Sequence, residues 1–580
     1  MSPRKSIPDL TYLTFDPASR LIKDEALRIA NFAVTHFTLE EVENDRQMYL
    51  SDQVEATKIF IIGHIPPLLI EPFLTNAVMV GICEAVISKK REWSPACNRR
   101  KFGLELNAII KFCNLLVHPL RRALDLASVP QVIRTRLYGS LTGFQGLHTL
   151  ILGSGSGGWV PEAYAFKFLR ALPKFNKLQH FSLKYDCTEH VLKVLSESCS
   201  ESLRLLDVER CLQVKDQICV DYILSFKNLI ELNIFKTGLE DSEICQILVA
   251  LKNILHLPRG DFLCDVLEYL DDEVSLDIQF EIQNFWASED YFFHSEEQML
   301  LVAKYCPKIR TAMFMFRDEC CTNMLVLSNF NYLKDLDLWG GKFYTDGIID
   351  FLHTCGHQLE KLSLVHVEEI DKRAIAIITS TCTNLHKLGF QDAEFIDDPE
   401  QLENDAAFRD ADRLLRYETE KEINALLRPM LDLHTLKVIG TCSANLLTFI
   451  LSFGLNVKHI SLGTNTEISD NVWENVLEDN RLAHLETLAI QKSGKSFTVK
   501  GIELLILSCD KLKVLKDPTS FEGVHENEVK ILKLRIREEN LDLRLEEEPV
   551  KLRDPSGAEL TRDILNRSGR SNFEEFFNSP

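Results

Sequence analysis

Two short segments of this 580-residue chain place residues at spacings that chemistry uses. The first is Gly153-x-Gly155-x-x-Gly158, which follows the apolar run Leu150-Ile151-Leu152 and precedes a helical pattern opening near Pro161. A glycine turn between strand and helix lets backbone N–H groups approach a pyrophosphate, as in a dinucleotide fingerprint. No Gly-Lys-Ser/Thr follows, and the strands continue as short repeats rather than as a doubly wound sheet. The loop is therefore read as a flexible connection, with a nucleotide-binding enzyme kept as the remote alternative. The second segment is His353-x-Cys355-x-His357. Structural zinc wants four ligands; a fourth is not apparent, and Cys355 already has a place at the end of a repeat unit. The 16 cysteines contain no C-x-x-C pair, which argues against a zinc ribbon or a dithiol redox site. No nucleophile elbow, His-Glu-x-x-His or kinase signature occurs. The expectation is no catalytic residue, no metal and no cofactor.

The elements that hold these segments are repeats. A pattern of apolar, two residues, apolar, one residue, apolar begins at Leu147, Leu178, Leu203, Leu229, Ile309, Leu333, Leu359, Leu385, Leu433, Val457, Leu485 and Leu512. Leu203 to Leu229 is a step of 26 residues, as is Leu359 to Leu385. Ile254-x-x-Leu257 is a degenerate copy with Arg259 in its third slot, and a weak copy is expected around Leu276. After each pattern an apolar residue and an Asp recur, at Asp216, Asp346, Asp371, Asp398 and Asp470, positions suited to capping a following helix. The helices end near Cys199, Cys306, Cys355, Cys382 and Cys509, where a small apolar thiol suits a crowded turn. One strand and one helix per unit cannot bury an apolar face alone; stacked units can. The expected fold class is α/β, a leucine-rich-repeat solenoid (horseshoe) over residues 141–525 with an N-terminal helical cap. Acidic insertions interrupt it at 261–298 and 392–428, and residues 526–580 are expected to be a charged, disordered tail.

Side chains alternate along a strand, so residues between and after the apolar anchors should point to the concave face. Phe235, Met313, Met315, Trp339, Val365 and Ile439 are large or apolar at such positions. Neighbouring exposed apolar groups mark a partner-binding surface, and Trp is enriched in binding hot spots.

Residues 1–140 lack the repeat and read as helical. Leu21-Ile-Lys-Asp-Glu-Ala-Leu-Arg-Ile-Ala30 is amphipathic, and Ile65-Pro66-Pro67-Leu68-Leu69-Ile70-Glu71-Pro72-Phe73 follows. The segment Cys382-Thr-Asn-Leu385-His-Lys-Leu388-Gly-Phe390 with Ile396-Asp-Asp398 resembles the cysteine-containing leucine-rich repeats of F-box/leucine-rich-repeat proteins. The Leu21–Ala30 segment resembles the start of the PRAME-like leucine-rich-repeat family. These resemblances imply a non-catalytic substrate-recognition subunit of a cullin-RING ubiquitin ligase. Adaptor docking would then use Leu21 and Ile29 in a BC-box-like helix toward elongin C, with Glu25 where that motif has Cys. Ile65, Pro66, Leu69 and Phe73 match the spacing of a cullin box, and Ile65–Val86 fits a diverged F-box that would meet a Skp-type adaptor equally. The alternatives are capping helices with no adaptor role, and a scaffold or regulatory binding protein without a ligase link.

Composition sets outer limits. Acidic residues outnumber basic ones 86 to 65, a net charge of −21, with 45% hydrophobic residues. Such a chain is a poor ligand for nucleic acid or for an anionic membrane. The most apolar stretch, Ile59–Ile87, is broken by His64, Pro66, Pro67, Glu71 and Pro72, so it reads as a buried helix rather than a membrane span. Residues 1–16 lack the apolar core of a secretory signal, and the expected location is cytoplasmic and also nuclear. Nicotinamide and adenine nucleotides should leave the melting temperature unchanged in a thermal-shift assay; a clear upward shift would return the glycine loop to consideration.

Overall fold

The computed structural model describes residues 10–36, 43–92, 99–118, 121–127, 129–144, 146–152, 168–274, 278–286, 294–316, 323–397, 430–463, 465–491, 493–516, 518, 521–539, 541–546, 552–553 and 559–560. The glycine loop at 153–158, most of the 392–428 insertion with Asp398, and the end of the tail lie outside these residues. The chain divides into two compact units, with the boundary between Ile254 and Leu255.

The first unit opens with helices Leu10–His36, Glu43–His64, Val80–Arg91 and Arg99–Lys111. Residues 69–91 are apolar and long enough to cross a membrane by composition alone. Leu74, Ala77, Val78, Ile82, Ala85 and Val86 are buried, as in a core helix. Gly81 lets this helix approach the first one closely, since a Cβ there would stand 2.5 Å from the Ser19 carbonyl oxygen. The rest of the unit carries five parallel strands in sequential order: β1 (Ala123–Asp125), β2 (Thr149–Ile151), β3 (His180–Ser182), β4 (Leu205–Asp207) and β5 (Glu231–Asn233).

The second unit carries ten parallel strands, again in sequential order. They are β6 (Asn284–Trp286), β7 (Thr311–Met315), β8 (Asp335–Trp339), β9 (Lys361–Val365), β10 (Lys387–Gln391), β11 (Thr435–Ile439), β12 (His459–Leu462), β13 (Thr487–Ile490), β14 (Val514–Lys516) and β15 (Arg544–Glu546). The pairing is in register with the repeat. Phe285, Ala312, Leu336, Leu362, Leu388, Leu436, Ile460, Leu488 and Leu515 align across the sheet as one buried row. Phe314, Leu338, Leu364, Phe390, Val438, Leu462 and Ile490 form a second. The apolar anchors of the repeat are thus the two rows that face the helices.

Several expectations are corrected here. The run expected over 141–525 is carried by two sheets. Within the 261–298 insertion the described residues hold a copy at Ile282-x-x-Phe285, where Phe285 sits opposite Ala312 and helix Leu263–Tyr269 precedes it; Leu276 lies outside the described residues. That segment is a repeat unit rather than a loop insertion. Residues 526–539 and 541–546 are placed as well: helix Glu526–Glu538 buries Val529, Leu532 and Ile536, and β15 extends the sheet. Asp371 caps its helix as expected, accepting the Ala374 N–H at 2.7 Å. Asp216 and Asp346 do not cap: their helices start after Lys215 and Gly347, which have no side-chain cap, while at Ser443, Ser469 and Thr498 a hydroxyl takes that place. Ser469 caps the helix that Asp470 begins, while Asp470 accepts the Thr498 N–H (2.9 Å) and hydroxyl (2.6 Å) and so ties two units together. The cysteines behave as read. The Cys306, Cys382 and Cys509 N–H groups each close the last helical turn, donating to Val302, Ile378 and Leu505 at 2.8–2.9 Å, and all three thiols are buried.

A left-handed residue follows the strand in unit after unit. Tyr185, Arg210 and Lys236 occupy the position in the first unit; Gly340, His366, Asp392 and Gly440 occupy it in the second, with φ between 47° and 123°. The chain turns away there, yet the ladder continues for one more rung. Gly340, His366 and Asp392 donate their N–H groups to the carbonyls of Val365, Gln391 and Ile439 at 2.7–2.9 Å. At Gly340 a Cβ would stand 2.6 Å from the Phe316 carbonyl oxygen in addition to the positive φ. Gly340→Ala should therefore destabilise by about 1–3 kcal/mol in urea unfolding. Gly103→Ala, on an open helix face, should be neutral or stabilising by up to ~1 kcal/mol.

Candidate protein-binding face

The face of the ten-stranded sheet opposite the apolar anchors is built from the same register. One row runs Trp286, Met313, Asp337, Ser363, Gly389, Lys437; the next runs Met315, Trp339, Val365, Gln391, Ile439. Neighbouring strands lie about 4.8 Å apart, so large side chains on one row touch. Met313 and Val365 are buried, with Trp286, Met315, Trp339 and Ile439 packed against them.

The register therefore brings five of the six expected face residues together, Met313, Met315, Trp339, Val365 and Ile439. It does not leave all of them open. Met313 is 2% exposed and Val365 0%, while Met315, Trp339 and Ile439 are half-buried. Phe235 belongs to the five-stranded unit and is 4% exposed; its expected exposure is likewise overturned, and it joins no cluster with the other five. In that unit the equivalent rows are ionic. Lys184 reaches Glu209 at 2.6 Å and Asp207 at 3.3 Å, Ser182 donates to Asp207 at 2.9 Å, and the Lys236 ammonium lies 5.5 Å from the centre of the Phe235 ring.

Asp337 is buried in the first row, where Lys361 Nζ lies 3.2 Å from its Oδ2 and 5.9 Å from the Trp286 ring centre. Burial pushes the Asp337 carboxyl up to about 8 against the pull of Lys361, and burial pushes Lys361 down. Asp337 Oδ1, Trp339 Nε1 and Ser363 Oγ are buried with no hydrogen-bond partner among the described residues. Buried polar groups are normally paired, and each orphan costs about 1–3 kcal/mol. Three orphans side by side mark a face not optimised for its own stability.

Beside this cluster, at the C-terminal ends of β7 to β10, opens a cavity of about 420 Å³. Met315 and Trp339 form its apolar wall, with His366, Glu368, Asp392 and Glu394 around them. The Trp339 and His366 rings meet edge to face, 6.1 Å between centres. His366 and Asp392 reach the cavity because they are the left-handed residues after β9 and β10. Sequence reasoning stopped at the strand ends and missed them. The signal available was their constant place, two residues after the third anchor (Leu364 to His366, Phe390 to Asp392). It also missed an asparagine before the first anchor: Asn228, Asn384 and Asn456 each donate back to a carbonyl of the preceding unit, at 2.7–3.0 Å.

The expected docking residues sit in the helices of the first unit. Leu21 is 70% exposed, Glu25 is bound by Arg28 at 2.8 Å, and Ile29 is 1% exposed. Eight residues along a helix turn the face by about 80°, which carries Ile29 from solvent into the core; as a docking residue it is corrected. Leu69 is exposed, Pro66 is exposed at the start of helix Pro67–Phe73, Ile65 is half-buried, and Phe73 is half-buried against the Phe15 ring at 6.3 Å. Met48, Ile59 and Phe60 on helix Glu43–His64 are more exposed than Leu69. His353 and His357 gather no further ligands: no cluster of three or more metal-ligating side chains occurs among the described residues.

The fold is leucine-rich-repeat-like, an alternation of helices with parallel strands in repeat register. No family model matches the chain, and no curated protein does. Among solved structures the chain is similar to one described as the Rad7 and Elc1 complex in yeast, at 13% identity over 68% of this chain and 89% of that one, with a TM-score of 0.31. It is also similar to a leucine-rich-repeat protein of Leptospira interrogans, at 13% identity over 76% and 92%, with a TM-score of 0.25. Scores this low decide neither fold nor function; the fold rests on the repeat and its register.

One support of the face titrates. His294 clips the end of β7, where the Met315 N–H donates to its Nδ1 at 3.1 Å, and its ring packs on Phe285 and Phe314. Burial pulls His294 down to about 4, opposed by the Met315 carbonyl oxygen 3.2 Å from Nδ1, which would accept from the protonated ring. The unfolded imidazole takes up a proton near its ordinary value and the folded one resists. The stability from this group is thus present above about 6.5 and lost as pH falls towards 4. Over that window the wild-type chain should lose up to about 3 kcal/mol more than His294→Gln, read as the difference between their urea midpoints against pH; parallel profiles would show that His294 is not held neutral.

Proposed function

We propose that this chain is a non-catalytic protein-binding leucine-rich-repeat protein of horseshoe form. Its N-terminal helices would cap the repeat, and it would be of the cysteine-containing, F-box/leucine-rich-repeat or PRAME-like kind. The observation that carries the binding role is the Trp339 cluster with its adjoining cavity, assembled along strands β6 to β11 on the face opposite the apolar anchors. A half-buried Trp beside Met in a concave site is the kind of anchor that dominates protein interfaces.

We further propose that the chain acts as the substrate-recognition subunit of a cullin-RING ubiquitin ligase, in the cytoplasm or nucleus. Support comes from the Ile65–Phe73 spacing and from the exposure of Leu21 and Leu69 on the N-terminal helices. An apolar helix face laid into an adaptor groove is a common recognition mode. The burial of Ile29 favours a second reading, a scaffold or regulatory binding protein with no ligase link.

Pull-downs from cell lysate separate the two. Trp339→Ala should lose one set of partners, and Leu69→Asp a different set containing an elongin, a Skp-type adaptor or a cullin. Retention of every partner after deletion of residues 1–90, with no such adaptor captured by the wild type, would leave the scaffold reading.

A further inference from the structure

The cavity beside Trp339 has a definite chemistry. Three carboxylates line it, those of Glu368, Asp392 and Glu394, and no Lys or Arg does among the described residues. Lys342 stands outside it and approaches Glu368 at 3.7 Å. Asp392 and Glu394 are both exposed. Their backbones are fixed, because the Asp392 N–H donates to Ile439 at 2.7 Å and the Glu394 N–H to Val367 at 2.9 Å. The carboxylates thus project from a rigid rim towards a wall made of an indole and a thioether.

We propose that this cavity binds an arginine side chain presented by a basic segment of a partner protein. The argument is charge complementarity joined to shape. An aromatic face attracts a cation, Trp most strongly. A guanidinium stacks on such a face and can still pair with carboxylates through its fork of donors, which an ammonium cannot do as well. The volume falls within the range of small-ligand sites, about 300–1,000 Å³, and the cleft is concave with low-dielectric walls that focus the field of its carboxylates. The net charge of −21 adds long-range attraction for a basic partner. The alternative occupants fit less well: an anionic ligand meets three carboxylates, and a purely apolar side chain would have to desolvate them.

The inference rests on the protein-binding reading of this face, so the test uses a defined probe rather than captured partners. A fluorescein-labelled Gly-Arg-Gly-Arg-Gly peptide is titrated with the full chain by fluorescence anisotropy, beside the same peptide with citrulline, the neutral isostere, at each arginine. The arginine probe should bind, more weakly as salt is raised, and the citrulline probe should not. The double variant Asp392→Asn, Glu394→Gln should bind the arginine probe roughly fivefold more weakly. Asparagine tolerates the left-handed backbone of position 392, so its melting curve should match wild type. Trp339→Leu should cost roughly another threefold. Equal binding of the two probes, no binding of either, or unchanged affinity in the double variant would overturn the arginine site. If Trp339→Ala still sheds partners from lysate in that case, the general binding face stands without it.

Discussion

The structure depends on one constraint: parallel strands that pair without a shift of register. Once Leu336 sits opposite Leu362 and Leu388, every other position of the repeat is also aligned with its counterparts. Two rows become core and the rows between them become a face. No unit chooses its own environment, because side-chain direction alternates and neighbours are fixed about 4.8 Å away. A single residue such as Trp339 therefore acts on a row. It covers Val365 on the next strand, as Trp286 and Lys361 shelter Asp337.

The same constraint gives the cavity its rim. A left-handed residue after the strand bends each chain away while its N–H still serves the neighbouring strand. Side chains at that place stand in line along the strand ends. Where the residue is Gly340 the rim is open; where it is His366 or Asp392 it is polar. The conformation favours glycine, and among other residues asparagine, aspartate and histidine tolerate it best, so His366 and Asp392 carry only a modest conformational cost. The rung of the ladder that their N–H groups complete helps to hold them in place.

The fold was largely legible in the sequence because burial is periodic. Twelve copies of an apolar pattern leave little choice about strand position, and the cysteine at the helix end reports a turn too crowded for larger side chains. Phe285 was harder to place, since the third slot of its repeat is the small Ala287 and the repeat lies in an acidic stretch. The face was legible in membership but not in exposure. Knowing that Val365 points away from the core does not reveal that Trp339 lies over it, for that depends on a residue one strand away. The docking helices show the opposite failure. The Leu21–Ile29 spacing matched a motif, but where the helix meets its neighbours decides which of the two is wet. Asp392 and Glu394 escaped notice because their residue types vary from unit to unit although their place does not, and their role comes from backbone geometry.

The cysteines at the helix ends carry a consequence for labelling the molecule. Of the 13 described, 12 are buried, and none is bonded to another. Burial pushes Cys211, Cys382 and Cys509 up to about 12, so at neutral pH almost none of these thiols is the thiolate that alkylating reagents attack. In the folded chain they are small apolar side chains that happen to contain sulfur. A thiol placed at the exposed position 394 would react against a slow background from these sites, giving a point of attachment for a fluorophore at the mouth of the cavity without removing the native cysteines that close the helices.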